Sequence, residues 1–240
     1  MFLRSSIFAG KDMQSAANQS IANSEAALIL NSGLGFLTPH ISVFSLIKRI
    51  IDIVGSLIGL TVLAIIFVPV AIAIKLDSPG PIFYCQERYG LLGKPFRIYK
   101  FRSMVRNADQ LKAQIQNEAK GLIFKNSKDP RVTRVGQFLR KTSLDEFPQF
   151  WNVLKGEMSL VGTRPPTADE VAYYREHHWQ RLIVKPGITG EWQVSGRSLV
   201  KDFEDIVQLD LRYQDQWHPT YDLILILKTF LILFNRTGAY

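Results

Sequence analysis

The sequence predicts a helix-rich α+β fold: a re-entrant membrane helix hairpin joined to a cytosolic domain with a small β-hairpin and amphipathic interfacial helices. Three observations lead there. An uncharged stretch runs from Ile53 to Ile74. Two β-rich runs flank the glycine-bearing "GLLGK". An apolar segment interrupted by Lys228 follows Tyr221.

The chain has 240 residues and is 47% hydrophobic, enough for one sizeable core. A net charge of +8 favours an anionic partner: nucleic acid, an anionic membrane surface or a phosphorylated substrate. The single cysteine, Cys85, excludes an intrachain disulfide and the Cys-rich zinc sites. It reads as a reduced, partly buried thiol facing the cytosol.

Residues 1–42 are small and polar, as in "SAANQSIANSE", and read as a flexible arm with a short helix near "AALILN". The apolar run at the extreme N-terminus is too short for a signal peptide. Residues 43–76 form the membrane-inserted element. Roughly 20 uncharged residues make about 30 Å of helix, enough to cross a bilayer. The alternative is a buried core helix. Lys48 and Arg49 precede the run, and Lys75 and Arg88 follow it. Positive charge marks the cytoplasmic side, so a helix that enters, breaks at Pro69 and returns satisfies both ends. Ser56 can hydrogen-bond within its own helix.

Residues 77–240 form the cytosolic domain. "SPGP" is turn chemistry. "PIFYCQERY" and "PFRIYKFR" alternate well enough to pair as a hairpin. "NADQLKAQIQNEAKG" reads as an exposed helix ending at Gly121. "TADEVAYYREHHWQRLI" has helical spacing. "KPGITGEWQVSGR" is a loop or a short strand pair, and "LVKDFEDIVQLDLRYQDQW" is helical again. Residues 221–234, with Trp217, His218 and Tyr221 at their start, suit a helix lying on the bilayer or a C-terminal core helix. There is no GxGxxG, GxxxxGK[ST] or HExxH motif and no nucleic-acid module.

The chemistry concentrates at "RKTSLDEFPQFW". Asp145 and Glu146 are adjacent carboxylates. "SLDE" also fits a capping box, with Ser143 as the cap and Glu146 reaching back. Arg131, Arg134, Arg140 and Lys141 lie just upstream, with Lys100, Arg102 and Arg164 elsewhere. A carboxylate among so many cations favours its ionised form, which suits a nucleophile. Arginines and a divalent metal would then neutralise phosphate charge. His177 and His178 read as solvated or packed, because neighbours on a helix face different ways.

These motifs resemble the bacterial sugar transferase family, the monotopic polyprenyl-phosphate phosphoglycosyl transferases, over roughly Phe44 to Tyr240. The matching segments are "SPGPIFYCQERYG", "GKPFRIYKFRSM", "DPRVTRVGQFLRKTSLDEFPQFWNVLKGEMSLVGTRP", "VKPGITGEWQVSGR" and "RTGAY". The resemblance implies transfer of a sugar 1-phosphate from a UDP-sugar to undecaprenyl phosphate, with UMP released. It implies that Asp145 is the nucleophile and Glu146 its partner carboxylate. Arg140, with Lys100 and Arg102, would bind substrate phosphate. Arg164 and Pro165 would lie near the nucleotide, and Mg²⁺ would be held by Asp145. It places the protein on the cytoplasmic face of a bacterial inner membrane, in contact with lipid and not with nucleic acid.

Two positions depart from the family pattern. Val68 stands before Pro69 where a serine is usual, and Thr163 stands where "GTRPP" usually has proline. The chain resembles a short form, and "PGITGEWQVSGR" is typical of members that transfer hexose phosphates, glucose or galactose. The competing readings are a glycosyltransferase that releases UDP, which the lack of a DxD motif disfavours, and a non-enzymatic membrane scaffold.

Overall fold

The computed structural model describes residues 37–196 and 200–235. Most of the expected arm, Arg197 and the "RTGAY" motif lie outside them.

Helix α1, Leu46–Asp77, is 32 residues long, about 48 Å at the α-helical rise. It is the one described helix long and apolar enough to cross a membrane. Ser45 caps it by accepting the Lys48 N–H. Pro69 lies inside it without ending it, so the expected break is absent as a change of secondary structure. A proline removes one ladder hydrogen bond, and the flanking turns remain helical here. Ser56 is buried and donates to Ile53 O at 2.9 Å, as expected.

Both ends of α1 are tied to the same body. Near the start, Lys48 donates to Asp222, Val161 O and Tyr213 (2.7, 2.9 and 3.1 Å). Arg49 donates to Val153 O and Leu154 O, and Asp52 accepts from the Ser159 hydroxyl and the Leu160 N–H. At the far end, Asp77 accepts the Val135 N–H, and Arg102 donates to Ser78 O and Pro79 O. Between these anchors Leu63, Phe67 and Val70 pack on Phe101 and Leu139. The other face leaves Ile58, Ile65 and Val68 exposed.

Strands β1 (Phe83–Tyr89) and β2 (Pro95–Phe101) form the expected antiparallel hairpin, with Tyr84 opposite Lys100 and Arg88 opposite Phe96. Cys85 is exposed on its outer face rather than partly buried.

The helix expected up to Gly121 is only one turn, Ala108–Leu111, followed by a 3-10 turn. Asn117 explains the stop: its side chain bonds Ile123 O and the N–H groups of Ala119 and Lys125, competing with helix continuation. Helix α2, Arg134–Lys141, follows, then a 3-10 turn at Leu144–Gln149 and helix α3, Phe150–Lys155. Gly156 ends α3 with a φ of 83°, where a side chain would be strained.

Strand β3 (Ser159–Val161) pairs in parallel with β4 (Gly187–Thr189). "KPGITG" thus supplies a strand whose partner lies far upstream. The "TADEV…" segment is broken into one helical turn, Ala168–Val171, and a 3-10 helix, Glu176–Ile183.

Helix α4, Phe203–Asp215, buries Phe203, Ile206, Val207, Asp210 and Tyr213, a helical stripe. Helix α5, Pro219–Asn235, buries Leu225 and exposes Leu223, Leu227, Phe230 and Leu231. Trp217 and Tyr221 turn their polar atoms inward, to Asp222 and Glu191.

Candidate active site

Asp145 and Glu146 sit in the 3-10 turn between α2 and α3. The chain enters it through Ser143, a non-glycine residue at φ 54°, ψ 17°. That conformation costs on the order of 1–3 kcal/mol and persists only where the surroundings impose it. Here Ser143 N–H is drawn to Arg140 O as α2 unwinds, and Ser143 O accepts the Glu146 N–H. The expected capping box is therefore absent. The Ser143 side chain makes no capping bond, and Glu146 accepts from Lys100 Nζ at 2.8 Å. The dyad is held by tertiary contact rather than by a helix cap. Asp145 is buried, 8% exposed.

Both carboxylates line a cavity of about 630 Å³. Among the described residues its lining carries eight Lys or Arg and five Asp or Glu, so the cavity is cationic. Strand β2 supplies Lys100. Arg102, just beyond β2, also lines it, and its guanidinium donates to Ser78 O and Pro79 O while its Nε has no partner among the described residues. The two bonds tie the strand to the end of α1.

Helix α2 supplies Arg140, whose Nε donates to the Ser103 hydroxyl at 2.9 Å. This contact is possible because α2 lies against the backbone there: a Cβ on Gly136 would come within about 2 Å of Ser103 O. Arg131 lines the cavity too but is clamped by Asp129. Arg134 and Lys141 are not part of the lining.

Arg164 and Pro165 line the same cavity. Arg164 forms a bidentate pair with Glu170, at 2.7 and 2.9 Å. Burial alone would lower the Arg164 pKa, but the Glu170 carboxylate outweighs it and holds it above the ordinary value. Glu170 is correspondingly held below the carboxylate range, Arg164 overcoming its burial. Thr163 spends its hydroxyl on Arg181 O, and its backbone bridges to Pro186. The turn ahead of Arg164 is thus fixed without a proline.

His177 and His178 do converge, contrary to expectation, because the 3-10 backbone brings their rings to 4.0 Å. Both reach Glu204, at 2.9 Å each. His178 Nδ1 accepts the Arg175 N–H, so Nε2 carries the proton and donates to Glu204. That tautomer has no lone pair left at Nε2 for a metal. The group is a hydrogen-bonded clasp beneath α4.

The profile of the family described as bacterial sugar transferase matches residues 43–236. The chain belongs to the bacterial sugar transferase family. It is 48% identical over 194 residues to galactosyl transferase CpsE of Streptococcus agalactiae, covering 80% of this chain and 43% of that protein. It is 42% identical over 200 residues to an undecaprenyl-phosphate galactose phosphotransferase of Salmonella typhimurium (81% and 42% covered). With a UDP-glucose:undecaprenyl-phosphate glucose-1-phosphate transferase of Escherichia coli the identity is 40% over 210 residues (85% and 43%). The chain spans less than half the length of each of these relatives.

In this bacterial sugar transferase the cavity also contains residues that the sequence reading passed over, chiefly Arg88, Ser103 and Trp192. Arg88 was legible in principle. Tyr84, Gln86 and Arg88 recur at period two on β1 and all line the cavity, while Cys85 and Glu87 between them are exposed and lie outside the lining.

Proposed function

We propose that the protein transfers a hexose 1-phosphate, glucose or galactose, from a UDP-sugar to undecaprenyl phosphate and releases UMP. The observation that carries this reading is the buried Asp145 beside Glu146 in a cationic cavity of nucleotide size. Asp145 attacks the β-phosphorus, the bond from phosphorus to the bridging oxygen breaks, and UMP departs with that electron pair. An oxygen of the polyprenyl phosphate then attacks the same phosphorus, and the aspartyl carboxylate leaves. Glu146, held by Lys100, is the partner carboxylate that steadies the acceptor side. Lys100 and Arg140 neutralise the phosphate undergoing transfer, and Arg164 with Pro165 lies at the nucleotide. The names of the relatives, which specify galactose or glucose with undecaprenyl phosphate, favour these substrates.

A divalent metal fits the donor set. The described lining offers carboxylate oxygens and no histidine or cysteine, the hard ligands Mg²⁺ prefers. Asp145 would hold it, and when bound it would offset diphosphate charge.

The membrane arrangement belongs to the same reading. One 32-residue apolar helix is anchored at both ends to one body. Both ends therefore belong on one side of the bilayer, the cytoplasmic one, and the apolar middle of the continuous helix dips in between them, with Pro69 as the place where it can bend. The exposed leucines of α5 rest on the surface.

The test is nucleotide release from UDP-glucose and UDP-galactose with undecaprenyl phosphate. Wild type should form UMP, and Asp145→Asn should lose at least about 10³-fold in rate, as expected when a nucleophile is removed. Release of UDP, or near wild-type turnover by the variant, would overturn the reading.

A further inference from the structure

We infer that Arg88 is a phosphate ligand of this cavity and, with Arg164, holds the nucleotide phosphate adjacent to the one that Asp145 attacks. The inference rests on the cavity being a UDP-sugar site. Arg88 is half-buried in the cavity wall at the end of β1. Its Nη1 donates to Pro165 O at 3.0 Å, and its Nε and Nη2 donate to the Gln86 carboxamide at 3.0 and 2.7 Å. All of these acceptors are neutral. A guanidinium has five N–H groups, so one N–H on each terminal nitrogen is left over. Those two form the fork that matches a phosphate.

The local charge points the same way. Glu170 is the near carboxylate, and Arg164 holds both of its oxygens. Two guanidiniums thus share one counter-ion, leaving one positive charge unbalanced in a poorly hydrated wall. Burial first, and then the charge of Arg164, push the Arg88 pKa down to about 10. Such a cation is destabilised until an anion arrives. Arg88 senses Glu146 as well as Arg164 and Glu170. It shares one cavity wall with Asp145, Glu146 and Arg164, and the phosphate it would hold is the one next to the reacting phosphorus.

The test compares binding of UMP and of uridine to wild type, Arg88→Gln and Arg88→Lys by calorimetry on the detergent-purified protein. Thermal midpoints establish that each variant is folded. We expect Arg88→Gln to weaken UMP by about ten- to hundredfold, the range for a lost charge-assisted contact. Uridine, which lacks the phosphate, should bind unchanged, and Arg88→Lys should recover part of the UMP loss. Equal weakening of UMP and uridine would mean that Arg88 only shapes the wall through Pro165, and would overturn the inference. So would UMP binding by Arg88→Gln at wild-type strength. A wild-type protein that binds no UMP would sink the UDP-sugar reading itself, a different result from either.

Discussion

Replacing Asp222 by Asn should unlock the apolar helix from its body, and the structure sets the size of the effect. Lys48 and Asp222 are 7% and 1% exposed and 2.7 Å apart. In Asp222→Asn, Lys48 keeps Val161 O and Tyr213 as neutral partners but loses its bound carboxylate. Stranding a buried charge costs about 3–5 kcal/mol. Asp52, one turn along α1, offsets part of this, so the lower end applies. At about 2–4 °C per kcal/mol for a domain of this size, the apparent midpoint should fall by roughly 6–12 °C.

The double variant Lys48→Met/Asp222→Leu removes both charges. Tyr213 can still donate to Val161 O, while Trp217 loses its acceptor, at a cost of about 1–2 kcal/mol, and Asp52 loses the nearby Lys48 charge but keeps its Ser159 and Leu160 donors. It should therefore be more stable than Asp222→Asn. The assay is tryptophan fluorescence during heating of protein in lipid nanodiscs. A fall below about 2 °C in the single variant, or a double variant less stable than the single, would refute the reasoning.

Two further outcomes follow from geometry already described. His178 is held neutral, burial lowering its pKa from the ordinary 6.5. Below that value the unfolded chain takes up a proton the folded one refuses, so stability is complete above about pH 6.5 and declines as pH falls towards the lowered value. His178→Gln should flatten that decline in thermal midpoints measured from pH 7 to 5. For topology, a single cysteine introduced at Ser45 in a Cys85→Ser background, beside the start of α1, should resist a membrane-impermeant thiol reagent in whole cells. It should react in inverted vesicles, and labelling in whole cells would mean that the helix spans.

The hairpin and α4 were legible because each carries a local period that tertiary packing left intact, and the long helix because of the length of its uncharged run. The pair Asp145 and Glu146 was legible as adjacent carboxylates among cations but not in its geometry. "SLDE" spells a capping box, yet Ser143 takes a left-handed conformation set by the unwinding of α2, and Glu146 turns to Lys100 46 residues away. The histidine pair failed for a related reason: the α-helical angle between neighbours does not hold in a 3-10 turn that Glu204 can reach. Arg102 carried the right charge for a phosphate ligand, and only the fold shows that the carbonyls ending α1 also hold it. The partner of β4 was invisible because β3 lies beyond any local window.

The clasp between Lys48 and Asp222 joins residues 174 positions apart. A ribosome adding about 5–20 residues per second needs on the order of 10–35 s to travel that distance. Until Asp222 is made, the ammonium that the fold buries lacks its counter-ion. Under the proposed membrane placement, insertion of the helix and its locking are therefore separate events, with Lys48 at the headgroups in between. Only when the segment beginning at Pro219 is made can the chain close over it.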